Sequence, residues 1–193
     1  MHRHRRDLSE LRLSGGTLVA ADVPRLRSTI VGALLPGDPA TLVRPLAPAD
    51  ASFCRALFDQ DRGAQLAPLG DAALVRTLLD QQYRAQQIGY ARACPNAEHA
   101  VIEHAGVPVG RLIVAVTGDA VHLVDIVLAV AARGCGIGTD VIGRLARTAS
   151  ARGAARLTLS VLQANERARR LYARLGFVAV ATGSHVAMVK LLP

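Results

Sequence analysis

The chain has 193 residues, 51% of them hydrophobic and 20% charged, with a net charge of +8. That length fits one domain whose core can support folding alone, and the balance of apolar to charged residues excludes wholesale disorder. Asp, Arg or Gly interrupts every apolar run short of the ~18 residues that a membrane span needs. The three cysteines, Cys54, Cys94 and Cys135, make neither a disulfide framework nor a metal-ligand pattern, so a soluble, cytoplasmic protein without metal is expected. The positive charge is nearly all arginine, Lys190 being the single lysine, and it is scattered along a chain with only three Phe and three Tyr to stack bases. Nucleic acid is therefore not an expected partner, nor is a membrane, whereas an anionic small molecule would benefit from the field.

Residues 1–40 read as an extension of unknown structure, opening with the basic run Met1 to Arg6 and closing on the breaker-rich Pro36-Gly37-Asp38-Pro39. Its apolar stretch Ile30 to Leu35 is too short for a secretory signal. From Thr41 to Pro193 the pattern is regular. A strand Thr41 to Arg44 leads through Pro48-Ala49-Asp50 into a helix with Phe53, Ala56 and Leu57 on one side. Asp71 opens a longer helix with Leu74, Val75, Leu78, Leu79 and Tyr83 at helical spacing. Three strands follow, Ala100 to His104, Val109 to Val116 and Ala120 to Val130, joined by turns at Ala105-Gly106 and Thr117-Gly118-Asp119. Arg133-Gly134-Cys135-Gly136-Ile137-Gly138 breaks this meander, and Val141, Ile142, Leu145, Ala146 and Ala149 then mark an amphipathic helix. A strand Leu157 to Val161, a helix Asn165 to Leu175 closed by Gly176, and strands Phe177 to Ala181 and His185 to Leu191 complete the chain. The order βααβββαβαββ mixes hairpins with helical crossovers and predicts an α+β domain, one mixed sheet with helices on both faces.

The segment Arg133 to Thr139 lies between a strand and a helix, where main-chain amides can converge on an anion. Glycine permits the positive φ and the close approach this needs, and the unpaired N–H groups and dipole of the following helix favour negative charge. A pyrophosphate is the natural guest. A Walker loop would need a lysine that is absent, and the dinucleotide fingerprint GxGxxG fails at Thr139 and lacks an acid about twenty residues on.

The remaining pattern, Arg-x-x-Gly-x-Gly, resembles the coenzyme A pyrophosphate loop of the GNAT acetyltransferases. The resemblance covers about residues 41–192: the element order agrees, Leu123 to Leu128 is similar to the family's fourth strand, and NERARRLYARLGF, Asn165 to Phe177, is similar to its later helix motif. It implies a GNAT N-acetyltransferase with acetyl-CoA as donor and no metal. The donor would lie along the main chain of Ile126, Val127 and Leu128, on Arg133, Gly134, Cys135, Gly136, Ile137, Gly138 and Thr139, and beside Asn165 and Tyr172. Tyr172, at the family's Leu-Tyr position, would protonate the departing thiolate, although its spacing with Ala168, Leu171 and Leu175 also fits an apolar helix stripe.

An alkyl amine, with a pKa near about 10.4, needs a base at neutral pH. His122 stands eleven residues before Arg133, where members of the family carry a catalytic Glu or His, and Asp125 is the second candidate. Strict alternation puts His122, Val124 and Ile126 on one face and Asp125 on the other, but the family's fourth strand commonly has a bulge that reverses the count. The acceptor is a small-molecule or peptide amine set by the region Pro48 to Ile88 and the Arg92 to His99 connection, where Tyr90, Cys94, Glu98 and His99 offer polarity. A non-catalytic acyl-CoA-binding module of the same fold is the alternative, and a homodimer is left open.

Overall fold

The computed structural model describes residues 29–193. Seven strands form one mixed sheet in the order β1-β2-β3-β4-β5-β7-β6: β1 Thr41–Pro45, β2 Glu98–His104, β3 Val107–Thr117, β4 Ala120–Leu128, β5 Arg156–Leu162, β6 Val178–Ala181 and β7 His185–Leu191. Between them run α1 Ala51–Leu66, α2 Ala72–Ala93, α3 Ile137–Ala151 and α4 Glu166–Arg174. The α+β class and the element order agree with the sequence. Strand β4 stops at Leu128 rather than Val130, because the Ala129 N–H turns to the Val109 carbonyl and Val130–Ala132 form a 3-10 turn. Leu57 is buried in α1 as expected, with Cys54 and Phe58 beside it in place of Phe53 and Ala56. In α2 only Leu79 is buried, and Leu74 is 45% exposed.

The register fixes which residues share a face. Leu112 and Val114 of β3, Val121 and Leu123 of β4, and Leu157, Leu159 and Val161 of β5 form one core with Val141, Ile142 and Leu145 of α3 and Tyr172 of α4. Lys190, opposite Leu157, reaches the Leu175 carbonyl just beyond α4, so α3 and α4 cover this face together. Arg111 and Ile113 point the other way, toward α1 and α2, as the contact of Arg111 with Gln86 confirms. Gly110 is needed where the strands close up: a Cβ there would stand 2.7 Å from the Val127 carbonyl oxygen.

One join in the sheet is incomplete. Strand β4 pairs with β3 along its whole length, but with β5 only from Ala120 to Leu123, while β5 pairs with β7 from Arg156 to Leu162. Past Leu123 the two parallel strands part, leaving main chain open on β4. At the same point the β3 register jumps: Val114 faces Leu123 and Ile113 faces Asp125, so Val124 is an extra residue, a bulge in β4.

Part of the expected extension belongs to this core. Ile30, Val31 and Leu34 are at most 2% exposed and pack with the α3 face. Two carboxylates grip the segment by its main chain: Glu98 accepts the N–H groups of Ile30 and Val31 at 2.7 and 2.9 Å, and Asp140 those of Gly37 and Asp38 at 2.7 and 3.2 Å. Residues 1–28 of the expected extension lie outside the described residues. Ile30→Ala should therefore cost about 2–5 kcal/mol in urea denaturation, as a core truncation does. Leu35→Ala, at a site 72% exposed, should stay within about 0.5 kcal/mol.

Candidate functional site

Beyond β4 the 3-10 turn buries Ala132, and the chain climbs through residues 133–136 into α3. Gly134 and Gly136 sit at φ 86° and 83°, the left-handed region that costs an L-residue about 1–2 kcal/mol. Nothing stands within 4 Å of where their Cβ atoms would be, so these glycines serve backbone conformation and the space above the loop is open. Buried Ile137 pins the start of α3. Its first-turn N–H groups, on Ile137, Gly138 and Thr139, have no acceptor within the helix and, with the helix dipole, favour an anion. An open groove of about 460 Å³ continues from there, lined by Gly136 of the loop, by Thr139, Asp140, Gly143 and Arg147 of α3 and by Leu175. Cys135 is exposed in the loop.

Arg133 is engaged elsewhere: Nε donates to the Leu128 carbonyl at 2.8 Å and Nη2 to Asp61 at 2.9 Å, tying the end of β4 to α1. The cradle is thus the main chain of the glycine loop. Alongside it, the open flank of β4 carries Ile126, Val127 and Leu128. An extended amide-bearing group can pair there as an added strand.

Of the side chains singled out in the sequence, Asp125 lies on the stretch of β4 that has left β5. Tyr172 is buried in α4, edge-on to Phe177 with ring centroids 5.8 Å apart. Burial, and then the charge of Asp125, push its phenol up to about 12. Asn165 caps α4, its Oδ1 accepting the Ala168 N–H at 3.1 Å. Because of the bulge, Asp125 opposite Ile113 and His122 opposite Ala115 share the face turned to α1 and α2, and strict alternation gives the wrong answer. His122 lies before the opening, where β4 and β5 still pair, with Nδ1 2.9 Å from the Thr158 hydroxyl. Burial lowers its pKa.

Arg111 is the site residue that sequence reasoning missed. It rises from the middle of β3, its side chain only 6% exposed, and Nη2 donates to Asp125 Oδ2 at 2.6 Å. Gln86 lies 3.4 Å from the same nitrogen and the Tyr90 ring 5.7 Å from the guanidinium carbon. His99, opposite Ile113, completes a row across the sheet with Asp125. Burial, then Arg111, lower the His99 pKa, and burial, then Asp125, raise that of Tyr90. The available signal was a charge inside the run Gly110 to Val116, on the face opposite Leu112 and Val114. Glu98, grouped with the acceptor region, instead holds residues 30 and 31. Among the described residues no three His, Cys, Asp or Glu side chains are grouped to hold a metal, and no helix is long and apolar enough to cross a membrane.

A model of the acetyltransferase (GNAT) family matches residues 64–177. Among solved structures, the PaiA N-acetyltransferase of Thermoplasma acidophilum, in complex with coenzyme A, is 14% identical with a TM-score of 0.61, covering 78% of this chain and 98% of that one. An acetyltransferase of Thermus thermophilus is 19% identical, TM-score 0.59, over 79% and 97%. A GCN5-related N-acetyltransferase of Rhodopseudomonas palustris is 23% identical, TM-score 0.58, over 79% and 96%. At these identities the likeness is one of fold. No curated protein matches the sequence.

The two depressed histidines set a stability trend. A group held neutral by burial binds fewer protons folded than unfolded, so stability is full above its ordinary pKa of 6.5 and is lost as pH falls toward the depressed value. The melting temperature should drop on acidification below about pH 6.5, and His122→Gln should remove part of that drop.

Proposed function

Because the chain belongs to the acetyltransferase (GNAT) family, we propose that it transfers an acetyl group from acetyl-CoA to a primary amine, which attacks the thioester directly. The observation that carries this reading is the opening between β4 and β5 beside the glycine loop. A cradle of main-chain N–H groups lies one short 3-10 turn beyond a strand whose outer flank is unpaired, an arrangement that suits a diphosphate continued by an extended arm. The residues fit that donor: 134–139 would hold the diphosphate, 126–128 would pair with the arm, and the Asn165 amide would donate to an arm carbonyl. When bound, acetyl-CoA supplies a thioester carbonyl open to attack.

Tyr172 would hold a proton at its hydroxyl for the departing sulfur; with its pKa pushed up to about 12, that proton is present throughout the neutral range. The main-chain N–H groups of 126–128 would stabilise charge developing on the carbonyl oxygen. His122, kept neutral by burial and with one ring nitrogen on Thr158, would accept the amine's proton directly or through a water. Asp125 is the second candidate, but with Arg111 bound to one of its oxygens it is better suited to hold the incoming ammonium. The acceptor, a small-molecule or peptide amine, would enter from the α1 and α2 side.

Acetyl-CoA should raise the melting temperature, and coenzyme A release should follow addition of amines from a panel. Tyr172→Phe should lower kcat on the order of 10²-fold with acetyl-CoA affinity retained. Unchanged turnover would remove the tyrosine from this role. Binding without turnover on any amine would mark a non-catalytic acyl-CoA-binding module, and no binding at millimolar acetyl-CoA would exclude the donor.

A further inference from the structure

Arg111 brings a full positive charge to a place where water barely reaches. Its side chain is 6% exposed, its Nε has no partner among the described residues, and the anion it touches is Asp125. A buried ion pair is a poor route to stability, since the cost of desolvating two charges is comparable to their attraction and an apolar pair of similar volume serves as well or better. Asp125 faces Arg111 only because of the bulge at Val124, which sacrifices regular pairing in β4. Two unfavourable features thus converge on one carboxylate. That carboxylate is itself 23% exposed, and it lies where β4 has left β5.

We propose that Arg111 is a positioning residue that fixes the charged carboxylate of Asp125 at the bulge, so that Asp125 receives the ammonium group of the acceptor. This rests on the amine-acetylating function proposed above. Arg111 holds Oδ2 at 2.6 Å and the Tyr90 hydroxyl bonds the same carboxylate, so its orientation is fixed while 23% of the side chain stays open to the substrate. The guanidinium is in turn held in place by Gln86 and by the face of Tyr90, both on α2. Tyr172 senses the same carboxylate from the far side of the opening. The amine would thereby be presented between the residue that fixes it and the residue that protonates the leaving sulfur. In a chain of net charge +8, which repels cations, such a fixed anion also supplies the local attraction that a cationic acceptor needs.

The test uses the full chain, a panel of primary amines and coenzyme A release. Arg111→Met should raise KM for the amine and lower kcat/KM on the order of 10²-fold. KM for acetyl-CoA should stay close to wild type, and the variant should remain folded with a lowered melting temperature, because Asp125 loses its partner. Arg111→Lys, which keeps a charge, should recover most of the loss. The double variant Arg111→Met/Asp125→Asn should be no worse than Asp125→Asn alone, because the two residues act as one unit. An unchanged amine KM in Arg111→Met, additive losses in the double variant, or no recovery in a folded Arg111→Lys would each overturn the inference while leaving the proposed function standing. A folded wild type that binds acetyl-CoA and turns over no amine overturns both.

Discussion

The parting of β4 from β5 after Leu123 is the constraint on which the rest of the molecule depends. Two parallel strands that stayed paired would leave no main chain to offer, and the helix after β4 would begin against a closed sheet. Here β4 keeps β3 and abandons β5, while β5 is held to β7 through its full length. The strand that leaves therefore has one satisfied flank and one open flank. Its bulge falls at the same step, so a single local irregularity opens the slot and turns Asp125 toward α1 and α2. The left-handed glycines then carry the chain from the open strand into the first turn of α3 without a side chain above the cradle.

The two sides of the opening differ in electrostatic character. On the loop side the positive ends of main-chain dipoles face outward from a chain already rich in arginine, which favours an anionic guest. On the α1 and α2 side the buried guanidinium of Arg111 meets a half-buried carboxylate, phenol and imidazole, with burial holding both ring systems in their neutral forms. Tyr172 stands at the border, buried enough to keep its proton yet near enough to feel Asp125.

Much of this is legible in the sequence because it is written in periodicity and in glycine. The order of strands and helices follows from alternation and helical spacing, and Arg133 to Thr139 stands out because few other uses explain three glycines between a strand and a helix. Other features leave no such trace. A bulge is an event of pairing, so Val124 looks like any strand residue, and only the resemblance to a family warns that alternation will fail. Arg111 reads as a solvated charge until the register shows that its face is covered. The stripe of α1 contains Leu57 as expected but takes in Cys54 and Phe58 in place of Phe53 and Ala56, which satisfy the same helical spacing. For Tyr172, spacing fits both a core residue and an acid, and periodicity cannot separate them.

The clamps on residues 30–38 explain why that segment reads as an appendage. Glu98 and Asp140 each grasp two peptide N–H groups, and peptide N–H groups are the same whatever side chain they carry. Lettering in this stretch is thus free to drift so long as a few apolar side chains are kept. Its attachment is recorded in the receiving carboxylates, deep inside the chain, and one of them stands in the first turn of the helix that bounds the glycine loop. Comparisons that score letters along the segment itself will pass over an anchor whose specificity resides in the receptor.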